Sequence, residues 1–138
     1  IPAPLMRWRD HPGRLTRTDP RYSVEAFFRT KAPYLARWLA AHNPHHPRVL
    51  VWGAGRVTRR RLAPVLTQGL EVQAWVDIDP KKIGWSIEGV SVVGPTSLPS
   101  PEEAFVLVAV GKRGARELIE AELCRQGYTP GVECLFCA

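Results

Sequence analysis

Long apolar runs are absent from the 138-residue chain, and none comes close to the roughly 18 residues that a membrane-spanning helix needs. Cysteine is scarce, with three residues, and the first residues lack the basic and apolar segments of a signal peptide. These shortages argue against an integral membrane protein and against a disulfide framework. We expect a cytoplasmic protein, free or at the inner face of the membrane. Because the first residue is Ile1 rather than Met, we also expect the chain to be part of a larger protein.

Acidic residues and glycine are both scarce in the first third of the chain. Positions 1–48 hold nine Lys and Arg against three Asp and Glu, whereas positions 49–138 hold ten of each kind. Ten of the eleven glycines follow position 48. This contrast predicts a basic arm, a helix and a linker over residues 1–47, and a neutral body over residues 48–138. We expect the body to fold without the arm, because its charges balance and its strand and helix pattern is complete.

Segments typical of strands alternate with segments typical of helices throughout the body. The apolar run Arg48–Trp52 stops at Gly53, and later residues such as Leu118 and Leu123 keep helical spacing. The predicted strands are 48–52, 72–76, 90–93, 104–110 and 132–136, and the predicted helices are 56–68 and 114–125. The alternation predicts an α/β fold with a small Rossmann-like parallel sheet of about five strands in the order 3-2-1-4-5, preceded by a basic extended arm and an α-helix.

The first strand is followed by a turn that is typical of nucleotide-binding sites. The glycines of Gly53-Ala54-Gly55 would let a pyrophosphate approach the backbone at the start of the next helix, where Arg56 could add a charge. Asp77 follows the second strand, where an acidic residue would accept bonds from ribose hydroxyls. Thr58 stands where the usual third glycine would fall, so we expect weak affinity. A tight turn that binds nothing is the alternative.

Two further motifs would lie at the same edge of the sheet. Asp77 and Asp79 spell the D-x-D that many sugar transferases use to hold a divalent metal, although a ribose acid followed by a turn is the simpler interpretation. Gly111 and Lys112 begin a second glycine turn that could hold a phosphate or simply start a helix. The candidate nucleotide-binding residues are therefore Gly53, Ala54, Gly55, Arg56, Asp77, Asp79, Gly111 and Lys112.

The basic arm carries five arginines within residues 7–22, with proline and glycine between them. Arginine binds phosphate oxygens through a planar fork of donors, so we expect an extended anion-binding segment. Its candidate residues are Arg7, Arg9, Arg14, Arg17 and Arg21. Ser23 can cap the following helix, Val24 to about Ala41, which Pro33 should kink. Trp8 and Tyr22 are too few and too far apart to stack nucleic-acid bases, so we expect no nucleic-acid partner.

No Ser/His/Asp constellation and no catalytic pair of carboxylates stands out in this chain. Cys134 and Cys137 form a lone C-x-x-C, and a zinc site would need two more ligands. Residues three apart in a strand face opposite sides, so we expect two buried core cysteines rather than a disulfide. The adjacent His45 and His46 would point apart. We therefore expect no catalytic residue, no metal and no cofactor in this part of the protein.

Four segments together resemble a subset of bacterial family 2 glycosyltransferases. Residues 7–23 are similar to the segment that closes their catalytic domain. Residues 51–55, 76–84 and 108–116 are similar to their extra C-terminal domain. The stretch 77–84 is also similar to the nucleotide-sugar-binding N-terminal domain of bacterial sugar acyltransferases.

The resemblance implies a catalytic GT-A domain upstream in the same protein. Such a domain takes a nucleotide-sugar donor and a divalent metal, Mg²⁺ or Mn²⁺, to build surface polysaccharide or similar glycans. Its catalytic residues lie in the upstream part, so the resemblance implies that this chain is a non-catalytic accessory domain that could bind a nucleotide or nucleotide-sugar. The alternative is a stand-alone NAD(P)-binding oxidoreductase domain, which would need a nicotinamide pocket and a proton donor.

Overall fold

The structure, a computed structural model, describes residues 11–138, which form one sheet with helices on both faces. The helices are α1 (Leu15–Thr18), α2 (Val24–His42), α3 (Arg56–Leu66) and α4 (Ala115–Arg125). The strands are β1 (Arg48–Trp52), β2 (Glu71–Val76), β3 (Ser86–Ile87), β4 (Val90–Val93), β5 (Val106–Val108) and β6 (Cys134–Phe136). Short 3₁₀ turns cover Pro20–Tyr22 and Pro95–Ser97. None of the helices in the described part is both long and apolar enough to cross a membrane.

The six strands lie in the order β3-β4-β2-β1-β5-β6. All pairs are parallel except the two-residue β3, which pairs antiparallel with β4 at one edge. The predicted order 3-2-1-4-5 is therefore confirmed, with β3 as an addition. Because β1 lies in the middle, its neighbours β2 and β5 bring their carboxyl ends to the same edge of the sheet as its own. That edge carries the candidate site.

The central strands are apolar on both sides because each face of the sheet is covered. On one face, Val51 and Leu107 share a core with residues of α2 and α3. On the other face, Trp52 and Val108 share a core with α4 residues such as Leu123. This two-sided burial explains the continuous apolar run near β5.

Helix α2 packs into the same core as the body. Phe28, Ala32 and Leu39 are buried in the cluster on the α3 face, and Ser23 caps the helix by accepting a bond from the Ala26 N–H at 3.1 Å. The linker after α2 is held by Asn43, which is buried and donates to the Arg48 carbonyl at 2.9 Å. The boundary expected near residue 47 therefore does not coincide with a break in the packing.

The segment expected to be extended is folded locally where the structure describes it. Asp19 accepts a bond from the backbone N–H of Arg21 and three more from its guanidinium, the shortest at 2.6 Å. These bonds stabilise the 3₁₀ turn, and Arg14 and Arg17 lie at the start and within α1. The Arg21 fork is thus directed at a neighbouring carboxylate. Arg7 and Arg9 lie outside the described residues.

Cys134 and Cys137 are buried on opposite faces of the sheet, as the spacing predicts. Cys134 belongs to the core beside α4, and Cys137 to the core beside α2 and α3. Burial raises the pKa of the Cys134 thiol to about 12 and that of Cys137 to about 11. Both thiols are protonated at neutral pH, so neither is a ready nucleophile or metal ligand.

Candidate functional site

A crevice of about 630 Å³ opens at the carboxyl ends of β1, β2 and β5, beside α4. Gly53 and Gly55 line it after β1, Asp77 and Ile78 after β2, and Lys112 after β5. In parallel α/β sheets, ligands bind beyond the carboxyl ends of the strands, where neighbouring connections run in opposite directions. The crevice occupies that place.

Gly53 allows the chain to turn sharply out of β1. Its φ of +123° lies in a region that side chains rarely adopt. A Cβ there would come within 2.8 Å of Thr58 Cγ2 and 3.0 Å of Val110 Cγ2. Glycine is therefore required at residue 53 by the fold itself, and Thr58 packs into the space that the missing side chain leaves.

The fold does not require glycine at residue 55. Gly55 precedes α3 with an ordinary φ of −65°, and the nearest atom to an added Cβ would be Thr58 Oγ1 at 4.0 Å. It also provides no side-chain cap for the first N–H groups of α3. The open space above Gly55 and the uncapped positive end of the helix are the conditions that an approaching anion requires.

Asp77 is buried at the end of β2 and is already well supplied with hydrogen bonds. Its Oδ2 accepts from the Ala54 N–H at 3.2 Å and from the Lys82 ammonium at 2.9 Å. Its Oδ1 accepts from the Asp79 N–H at 3.0 Å. The carboxylate thereby joins the glycine turn after β1 to the loop that follows β2.

Lys82 lies between the two carboxylates of the D-x-D motif. Its ammonium is 2.9 Å from Asp77 and 3.7 Å from Asp79. The hydrogen bond to Asp77, with the negative charges of both aspartates, raises the pKa of Lys82 against the opposing effect of burial. A lysine therefore occupies the position where a D-x-D motif would hold a divalent metal. Within residues 11–138, no three His, Cys, Asp or Glu side chains cluster as a metal site requires.

The wall formed by α4 carries charges that are mostly paired with one another. Arg125 and Glu122 form an ion pair at 2.6 Å, and Gln126 donates to both Glu122 and the Pro95 carbonyl. Lys112 also lines the crevice, and no partner for its ammonium is found among the described residues. Lys112 is thus the cation in the crevice that is best placed to pair with a ligand.

Two aliphatic side chains at the crevice are unusually exposed. Ile78 after β2 is 72% exposed, and Leu118 on α4 is 74% exposed. The helical spacing predicts Leu118 on the apolar, core-facing side, but it lies at the crevice instead. The crevice therefore combines apolar walls with charged groups near its glycine turns.

The crevice brings together half of the predicted residues. Gly53, Gly55, Asp77 and Lys112 line it, whereas Ala54, Arg56, Asp79 and Gly111 do not. Arg56 lies along a second groove, between α3 and the β3–β4 hairpin, with Arg60 and Glu88. None of the described arginines of the arm lines the crevice.

Sequence reasoning did not propose Lys82, Ile78, Leu118 or Arg125 as site residues, although all four line the crevice. The turn after Asp77 was a signal for Lys82, because a lysine five residues after an acid can fold back onto it. Leu118 and Arg125 carried no such signal, because a position on a helix does not reveal which other segments of the chain will pack against it.

Comparison with protein-family models, with curated proteins and with solved structures gave no match. The class that the fold defines is a small Rossmann-like α/β domain.

Proposed function

We propose that this chain is a non-catalytic nucleotide-binding domain that serves as an accessory to a family 2 glycosyltransferase domain upstream in the same protein. The observation that carries the binding proposal is the crevice over β1, β2 and β5, which Gly55, Lys112 and exposed apolar side chains all line. Its volume of about 630 Å³ lies in the range of small-molecule sites, which is roughly 300–1,000 Å³.

A nucleotide has a charged part and an aromatic part, and the crevice offers a place for each. The phosphates would lie over Gly55, against the uncapped N–H groups of α3 and the Lys112 ammonium. The base would lie against Ile78 and Leu118, whose exposed surface it would cover.

The glycosyltransferase part of the proposal is supported by the resemblance of residues 7–23, 51–55, 76–84 and 108–116. On that view the divalent metal, Mg²⁺ or Mn²⁺, belongs to the upstream domain. The engagement of Asp77 and Asp79 with Lys82 agrees with a role outside catalysis. We therefore expect binding of nucleotides or nucleotide-sugars without sugar transfer by this chain.

Titration calorimetry with UDP-sugars, GDP-sugars, NAD and NADP tests the proposal. We expect a nucleotide or nucleotide-sugar to bind with Kd of about 10–1000 µM, because a few charge-assisted hydrogen bonds supply about 4–7 kcal/mol. Nucleotide release in the same mixtures with Mn²⁺ should stay at the level of a heat-killed control.

Two matched glycine variants test whether the nucleotide binds in the crevice, over Gly55. Gly55→Val should weaken binding at least tenfold, because its side chain would occupy the space above the turn while the backbone angle remains ordinary. Gly13→Val, at a residue that does not line the crevice, should bind as the wild type does. Tight NAD(P) binding would favour the oxidoreductase alternative, and the absence of binding by every compound would refute the proposal.

A further inference from the structure

Asp77 stands where nucleotide-binding sheets of this architecture place the acid that accepts a bond from the ribose 2′-hydroxyl. An ionised carboxylate offers about four acceptor positions on its two oxygens. Three of these are used within the chain, by the Ala54 N–H, the Asp79 N–H and the Lys82 ammonium. A sugar hydroxyl would have to compete with these bonds.

Lys82 makes the competition unfavourable. Its ammonium bonds to Asp77 Oδ2 at 2.9 Å, and this same oxygen also accepts from Ala54. Lys82 and Asp77 both line the crevice, so a sugar hydroxyl that bonds to Oδ2 has to compete with the Lys82 ammonium. Displacing the lysine would separate an ion pair whose carboxylate is almost fully buried.

We propose that this crevice binds its nucleotide without recognising the ribose 2′-hydroxyl, and that Lys82 is the specificity-determining residue that withdraws Asp77 from this hydroxyl. The inference rests on the proposed nucleotide-binding function. Binding then depends on the phosphates, which face Gly55 and Lys112, and on the base, which faces the apolar walls. Ribonucleotides and 2′-deoxyribonucleotides are bound equally.

Calorimetry of the wild-type chain tests this directly, with UDP against dUDP and GDP against dGDP. We expect the Kd values within each pair to agree within about threefold. A hydroxyl bonded to a free carboxylate would favour the ribonucleotide by about tenfold or more. A preference above threefold in the wild type overturns the inference, and this comparison needs no substitution.

Lys82→Met tests the role assigned to the lysine. The variant removes the ammonium from Asp77 Oδ2 and restores an acceptor position on the crevice side. We expect the ribonucleotide to be preferred by about tenfold in this variant, while Lys82→Arg, which retains a cation beside Asp77, should keep equal binding. Equal binding by a folded Lys82→Met variant would show that Asp77 does not face the sugar and would overturn the role of Lys82.

Lys112→Met separates this inference from the proposed function. The variant should weaken both members of each pair to the same extent, because Lys112 faces the phosphates that they share. Failure of the wild type to bind any of the four nucleotides would refute the proposed function and the inference together. A ribonucleotide preference in the wild type, with binding that Lys112→Met still weakens, would leave the proposed function standing and overturn only the inference about the sugar.

Discussion

At the scale of single residues, the two glycines of the turn after β1 differ in what constrains them. Gly53 is required by its backbone angle and by the close approach of Thr58 and Val110. Gly55 has an ordinary backbone angle and open space around it. The fold therefore requires the first glycine, and it does not require the second.

Gly53→Ala should destabilise the protein by about 2–4 kcal/mol, because backbone strain and overpacking each cost roughly 1–3 kcal/mol. Gly55→Ala, two positions along the same turn, should change the free energy of unfolding by less than about 0.5 kcal/mol. Urea denaturation followed by circular dichroism measures both. Equal losses of stability in the two variants would contradict the distinction between them.

At the scale of elements, α2 is an amphipathic helix whose inner face completes the core on one side of the sheet. Phe28, Ala32 and Leu39 are buried there, and the ion pair of Glu25 with Arg60, at 3.1 Å, joins α2 to α3. Removing α2 would uncover this side of the sheet. The burial of these residues predicts that residues 48–138 are unstable by themselves, whereas the pattern of the body alone predicts that they fold.

Two substitutions on α2 measure this contribution. Leu39→Ala should cost about 2–5 kcal/mol, because Leu39 is fully buried and its truncation leaves a cavity. Phe27→Ala, on the same helix, should cost less than about 1 kcal/mol, because Phe27 is 56% exposed. Chemical denaturation of both variants gives the comparison, and a small loss for Leu39→Ala would mean that α2 is only loosely attached.

At the scale of the whole molecule, the buried thiols link folding to alkaline pH. Burial raises the pKa of the Cys134 thiol from 9.0 to about 12. It also raises the pKa of the Tyr128 hydroxyl to about 12, so both groups make stability depend on pH in the same direction. Between pH 9 and 12 the unfolded chain releases the Cys134 proton while the folded chain retains it. The folded state therefore loses relative stability as the pH rises through this window.

In Cys134→Ala the free energy of unfolding should fall less steeply with pH, by up to about 1.4 kcal/mol per pH unit, because one titrating group is removed. Urea unfolding of the reduced protein at intervals from pH 7 to pH 11 measures the slope. Val106→Ala, in the same core, controls for lost packing, since it lowers stability without removing a titrating group. If the slope in Cys134→Ala equals that of the wild type, the Cys134 thiol is not a source of the pH dependence.

The order of the sheet and the place of the crevice could be predicted from the sequence because they depend on local pattern. Continuous apolar runs marked the central strands, and a glycine turn after β1 together with an acid after β2 marked the edge where they end. The opposite burial of Cys134 and Cys137 followed from the alternation of side chains along a strand.

The properties that decide function at this edge depend on contacts between distant segments. Asp77 accepts bonds from the turn after β1 and from Lys82, and the bond from the Ala54 N–H, 23 residues away in the chain, leaves no mark in the sequence. Leu118 is exposed although it keeps helical spacing with Leu123, and α2 belongs to the core because its apolar face meets the sheet. The sequence by itself thus determined the periodicity, and through it the order of the strands. Only the tertiary structure decided which charges neutralise one another and which apolar side chains stay exposed, because both depend on what meets in space.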